Sequence, residues 1–193
     1  MALPAHKLSL ADFLSWENDQ PARHEFCRGE IFAKVGARRV HGLVVGNLFA
    51  AFKLHLKGNP CRAFVEGMKV QVGDDAIFYP DVFVTCDAQD LTTERVFRQP
   101  KLLVEVLSAT TQATQAYDRG LKLAAYRRIE TLQEYVLLDP DTRSSEVFRR
   151  NERGLFELHD QTGGPELHLA SVGLRLAMVD VFDGVEGADE APG

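Results

Sequence analysis

The chain has 193 residues, 45% of them apolar, which suits one substantial core and one domain. Its formal charge of -6 arises from 22 basic and 28 acidic residues, and five of the acids (Asp180, Asp183, Glu186, Asp189, Glu190) fall after residue 179, where there is no Lys or Arg. The rest of the chain is nearly neutral, so contact with nucleic acid cannot rest on net charge and would need local clusters. Three such clusters stand out: Lys34, Arg38 and Arg39; Arg119, Lys122, Arg127 and Arg128; and Arg143, Arg149, Arg150 and Arg153. Each reads equally well as a solvated face. No run approaches the roughly 18 apolar residues of a membrane span, and the first residues lack the layout of a secretion signal. A cytoplasmic protein with no membrane partner is expected. Cys27, Cys61 and Cys86 are isolated and odd in number, without C-x-x-C spacing. Reduced thiols, with neither a disulfide nor a zinc site, are therefore expected.

In chain order, Ser9 supplies a capping oxygen for a short helix over residues 10–16. Residues 24–27 and 30–33 flank Arg28-Gly29, which suits a tight hairpin. From 41 to 56 the apolar residues Val44, Val45, Leu48, Phe49, Phe52 and Leu56 recur at three- and four-residue steps, predicting an amphipathic helix that Gly58-Asn59-Pro60 ends. Strands are predicted at 62–65, 68–72, 81–85 and 102–107, a helix over 113–129, and strands at 133–138 and 145–149. The order helix, strands, helix, strands predicts an α/β fold with α+β character: a mixed β-sheet flanked by helices, with additional antiparallel strands. Residues 1–182 read as one domain, and 183–193 as an acidic, flexible tail.

The chemistry concentrates at Glu105. It sits in Lys101-Leu-Leu-Val-Glu-Val-Leu-Ser108, a run in which a lone carboxylate is costly unless it is paired or bound to a cation. Alternation puts Leu103, Glu105 and Leu107 on one face, and Leu102, Val104 and Val106 on the other. A second acid, Asp81, follows Pro80 at the mouth of another strand, although Asp after Pro is also a common turn residue. Two carboxylates on neighbouring strands suit a hard cation. In the helix that follows, Asp118 and Lys122 stand four residues apart beside Ala125, Tyr126 and Ile129. That places Lys122 either near Glu105, to orient a water or stabilise an anion, or in an ordinary surface pair with Asp118.

Together, several segments resemble one family, the putative restriction endonucleases within the PD-(D/E)XK nuclease superfamily. The resemblance rests on His24-Glu25-Phe-Cys-Arg-Gly29-Glu30, His41, Tyr79-Pro80-Asp81-Val82, Pro100 through Glu105 to Ser108, Asp118, Lys122, Tyr126, and Glu134-Tyr135 running to Pro140. It implies a restriction-endonuclease-like fold and hydrolysis of DNA phosphodiester bonds, with Mg²⁺ (or Mn²⁺) held by Asp81, Glu105 and the Val106 carbonyl. The lysine usual two residues after the second acid is Leu107 here, and the resemblance implies that Lys122 takes its place as the third catalytic residue. Glu25, Glu30 and His41 are secondary candidates as metal ligands or supporting groups, weighed against solvated strand-end acids and a packed helix-start histidine. DNA is the expected partner, and a homodimer or higher homo-oligomer is expected by analogy. A descendant that keeps the fold as a binding or assembly module and has lost catalysis is the alternative; hydrolysis of another phosphate ester is a third.

Overall fold

The computed structural model describes residues 8–34, 36, 38–107 and 117–185. A five-stranded sheet runs in the order β2 (Glu30–Ala33), β1 (His24–Cys27), β5 (Ala76–Phe78), β4 (Lys69–Val72), β7 (Val96–Phe97). A six-stranded sheet runs β11 (Phe156–Asp160), β10 (Ser144–Arg150), β9 (Glu134–Asp139), β8 (Pro100–Val106), β6 (Val82–Thr85), β3 (Arg62–Val65). Both are mixed: β4–β7 and β8–β9 pair in parallel, and the other neighbours are antiparallel. A small hairpin, β12 (Glu166–Leu169) with β13 (Leu174–Ala177), completes the strands.

Three apolar clusters show how the layers stack. The outermost lies between helix α1 (Leu10–Glu17) and the five-stranded sheet, where Phe13 packs on Phe26 and Ile77. The middle one joins the two sheets and a helical segment, through Val70, Val72 and Phe78 on one sheet, Phe83, Leu103, Leu107 and Tyr135 on or beside the other, and Ala125 and Tyr126 from the helical side. The third lies beyond the six-stranded sheet, where Leu102, Val104 and Val106 meet Val44, Leu48 and Phe52 of helix α2 (Arg39–His55), the β12–β13 hairpin and helix α4 (Met178–Val181). The alternation expected along β8 is present: its odd and even residues enter different cores.

Local chemistry accounts for the elements. Ser9 Oγ accepts from the Asp12 amide at 3.2 Å and starts α1. At the hairpin turn both Arg28 (φ 51°) and Gly29 (φ 86°) take positive φ, as a two-residue primed turn requires. Gly58, at φ 79°, lets the chain leave α2.

The structure corrects several expectations. In place of a regular helix over 113–129 there is a π-wound turn, Tyr117–Lys122, followed by one α-helical turn, α3 (Leu123–Tyr126); residues 113–116 lie outside the described residues. Cys61 and Cys86 are bonded, with Cα atoms 4.0 Å apart. They flank β3 and β6 one step beyond the Arg62↔Thr85 pair, so antiparallel register brings together two thiols whose spacing of 25 residues carries no signal. Cys27 alone is free. The packed body continues to Val185, which is buried against α2 and whose carbonyl accepts from Arg143, while 186–193 lie outside the described residues. Strands β5, β7 and β11 to β13, and helix α4, are short or half-exposed and gave no predicted element. Among the described residues no helix is long and apolar enough to cross a membrane.

Candidate active site

Strand pairing brings the two principal acids together. β6 and β8 are antiparallel neighbours with Val82 opposite Val104 and Phe83 opposite Leu103, and the next step of that register sets Asp81 against Glu105. The Asp81 carbonyl accepts from the Glu66 amide at 3.2 Å, so the backbone is held in line with the sheet up to that point. Both side chains are buried.

A third acid arrives from the other sheet. Along β1, alternation sends Phe26 outward to α1 and Glu25 and Cys27 inward. Glu25 Oε1 accepts from the Tyr79 amide at 3.0 Å. Between the sheets stands Lys122, presented by the π-wound turn. Its Nζ lies 3.1 Å from Glu25 Oε1, 3.1 Å from Glu105 Oε1 and 3.2 Å from Asp118 Oδ1. Tyr126, one turn on, donates its hydroxyl to the same Glu105 oxygen at 3.1 Å, and Tyr135 donates to the Asp118 carbonyl at 3.1 Å, fixing the turn. The Asp118–Lys122 pair expected as the bland reading is present, but it is buried and is one of three contacts on the same ammonium group.

Asp81 has its own set of donors. Its Oδ2 accepts from the Val106 amide at 2.8 Å and lies 3.1 Å from His41 Nε2 at the start of α2. Its Oδ1 accepts from Lys34 Nζ at 3.1 Å, and the same ammonium donates to the Tyr79 carbonyl at 2.7 Å. His41 Nδ1 is buried without a hydrogen-bond partner among the described residues, which suits the tautomer in which Nε2 carries the proton toward Asp81. Tyr117 Oη is also buried without a hydrogen-bond partner among the described residues, beside Glu25 and with its ring 5.5 Å from Lys122 Nζ.

The charges divide unevenly. Burial works to raise Asp81, but the His41 hydrogen bond and the Lys34 and Lys122 charges outweigh it and hold the carboxyl well below the usual range. Glu105 goes the other way. Burial, reinforced by Asp81, Asp118 and Glu25, overcomes the pull of Lys122 and pushes it well above the usual range. Asp118 is raised by burial against the same pull. Lys122 stays firmly charged: burial opposes its charge, yet Glu105 and Glu25 together hold its proton. Driven apart in this way, one carboxyl favours its proton while its neighbour favours its charge.

Of the residues predicted from sequence, the structure brings together Asp81, Glu105, Lys122, Glu25 and His41, with the Val106 backbone on Asp81. Glu30 stands apart, exposed at the turn end of the hairpin. Lys34 and Tyr79 were not predicted as site residues. Lys34 looked like one of three surface cations before a helix, and nothing local reports that its partner lies 47 residues on. Of its two companions, Arg38 is spent on a bidentate pair with Asp141 at 2.7 and 3.0 Å, and Arg39 on the Gly184 carbonyl.

Carboxylate oxygens are the donor type that a hard divalent cation takes. Four carboxyl groups (Glu25, Asp81, Glu105, Asp118) face two ammonium groups (Lys34, Lys122) in a buried place. Among the described residues no group of three His, Cys, Asp or Glu side chains is placed to hold a metal ion as they stand. Mg²⁺ does not require one, because it commonly takes one or two carboxylates and keeps waters or phosphate oxygens for the rest.

The family model for Uma2, putative restriction endonuclease, matches residues 10–179. The chain is 32% identical over 183 residues to the uncharacterized protein slr1290 of Synechocystis sp., covering 94% of this chain and 95% of that one. It is 31% identical over 135 residues to sll1609 of the same organism, covering 68% and 75%. Among solved structures it superposes on a putative nuclease belonging to DUF820 from Anabaena variabilis, with a TM-score of 0.74 over 93% of this chain and 99% of the other; at 21% identity that likeness concerns the fold.

Proposed function

This chain belongs to the Uma2 family of putative restriction endonucleases, and from that premise we propose that it is a Mg²⁺- or Mn²⁺-dependent endonuclease hydrolysing DNA phosphodiester bonds. The observation that carries the reading is the position of Lys122, enclosed between Glu105 and Glu25 and adjoining the strand ends where Asp81 and Glu105 meet. Asp81 and Glu105, with the Val106 carbonyl, would hold the cation. When bound, it would supply Lewis-acid polarisation of a phosphoryl oxygen and a more acidic water. Lys122 orients the attacking water and stabilises charge developing on the phosphoryl oxygens. His41 and the Val106 amide fix the Asp81 rotamer, and Tyr126 fixes Glu105, so the acids need little reorganisation during reaction. One P–O bond forms to the water oxygen and one breaks to the sugar oxygen, leaving a phosphomonoester and a hydroxyl. Each site cuts one strand, so a double-strand break calls for two copies, which supports a homodimer.

Supercoiled plasmid incubated with Mg²⁺ or Mn²⁺ tests this directly, beside an EDTA control and Glu105→Ala from a parallel preparation. The proposal expects nicked and linear products that require both the metal and Glu105. Intact plasmid across metals and substrates, with the protein folded, would overturn it.

One observation favours a binding or assembly module that keeps the cluster as a polar core. Glu25, Asp81, Glu105 and Lys122 each expose 4% or less of their surface, and a substrate must reach them. DNA binding without cleavage would support that module.

A further inference from the structure

Two lysines serve the cluster, and they differ in how they are held. The Lys122 side chain is 6% exposed and touches three carboxylates; that of Lys34 is 23% exposed and touches one. Lys34 follows β2, so it approaches from the hairpin side rather than from the helical side that presents Lys122.

The two oxygens of Asp81 are not equivalent. Oδ2 takes the Val106 amide and lies against His41 Nε2, donors anchored on β8 and α2. An oxygen with two such donors has both its lone-pair directions occupied. A cation that binds Asp81 must therefore come to Oδ1, and Oδ1 is where Lys34 Nζ sits at 3.1 Å. Two cations on one carboxylate oxygen repel each other strongly at this depth. Of the two, the lysine can give way: its four-carbon stem is flexible, it reaches solvent, and among the described residues its other hydrogen bond is to a single backbone carbonyl. Lys122, surrounded by carboxylates, has no such freedom.

We propose that Lys34 is a mobile counter-ion of the site: it neutralises Asp81 while no divalent cation is bound, yields Oδ1 when one arrives, and then contacts a phosphate of the nucleic-acid backbone. This rests on the nuclease reading above and adds to it a substrate-side cation from outside the helix that presents Lys122. It also gives the acidic cluster a route to stay neutralised before metal loading, without a permanent competitor for the metal.

Mn²⁺ titration by calorimetry, with no nucleic acid present, tests the first half on the wild type, Lys34→Met, Lys34→Arg and Asp81→Asn. Lys34→Met is expected to bind Mn²⁺ about tenfold tighter, since a competing charge is gone. Lys34→Arg, which keeps the charge, should bind as the wild type does, and Asp81→Asn should lose binding. Plasmid cleavage at rising salt tests the second half: Lys34→Met should raise KM more than it lowers kcat, and the slope of log kcat/KM against log salt should fall by about 1. Thermal melts by circular dichroism establish that each variant is folded; if Lys34→Met is not, Lys34→Gln takes its place. Unchanged or weaker Mn²⁺ affinity without Lys34, in a protein that otherwise loads normally, overturns the counter-ion and leaves the nuclease reading standing. A wild type that binds no Mn²⁺ overturns both.

Discussion

Glu25 and Glu105 belong to different sheets, yet each places its Oε1 3.1 Å from the same atom, Lys122 Nζ. The lysine is therefore a joint between the two sheets as well as a charge in the site, and its replacement has two effects. Lys122→Met should abolish cleavage and also cost about 3–5 kcal/mol of stability, because removing one partner of a buried ion pair strands the others. Urea unfolding beside the plasmid assay checks this; a variant as stable as the wild type would show that the joint carries no load.

Glu105→Gln separates the site from the scaffold. Burial already disfavours the ionised form of Glu105, and an amide oxygen can still accept from Tyr126. The metal-free variant is expected to stay folded, because Lys122 keeps its contacts with Glu25 and Asp118. What it should lose is the metal response: a ligand at a hundredfold excess over its Kd stabilises by about 2.7 kcal/mol, and that gain should appear in the wild type with Mn²⁺, vanish with EDTA and be absent from Glu105→Gln. Differential scanning fluorimetry reads all three.

The dependence on pH follows from the opposed shifts. Glu105 and Asp118 have folded values above their unfolded ones, so their contribution to stability is fully present below the ordinary carboxylate range and is lost as pH rises through the raised values. Asp81 is depressed, so its contribution is fully present above about pH 4, the unfolded value, and is lost as pH falls from there through the depressed folded value. The metal-free protein should therefore be most stable on the acid side of neutrality. Asp81→Asn should remove the acid limb and leave the other; chemical denaturation across pH measures both.

Tyr79 touches the site through its backbone alone. Its amide holds Glu25 and its carbonyl holds Lys34, whereas its hydroxyl points away, donating to buried Glu17 at 2.9 Å. Burial, with Glu17 beside it, keeps that hydroxyl protonated. Tyr79→Phe is expected to cost about 1.5–3 kcal/mol, the value of a hydrogen bond to a carboxylate, and to leave cleavage intact. Loss of activity in a stable variant would show that the Glu17 network reaches the chemistry.

What could be read from the sequence was whatever a local pattern encodes. Period-two alternation announced both faces of β8 and isolated Glu105, the Arg28-Gly29 turn defined the hairpin, and Pro80 marked the start of β6. Glu25 and Glu30 could not be ranked in that way. Both flank the same turn, and what separates them is that β5 pairs with β1, burying Glu25, while Glu30 stays exposed beside the turn. Lys34 and the cysteine pair depend on register between distant strands, which no local window contains. The π winding at Tyr117–Lys122 was hidden because Asp118 and Lys122 share a side in an α-helix as well.

Among the described residues, strand β3 forms one border of the six-stranded sheet, with β6 as its single neighbour. Border strands are where a chain can peel off and pair with a stranger, and most proteins guard them with charge, proline or brevity. Here the Cys61–Cys86 bond ties β3 covalently to β6, the strand that leads back to Asp81. While it is intact, β3 cannot be traded for a strand of another molecule, and the sheet edge nearest the acids is closed to domain exchange.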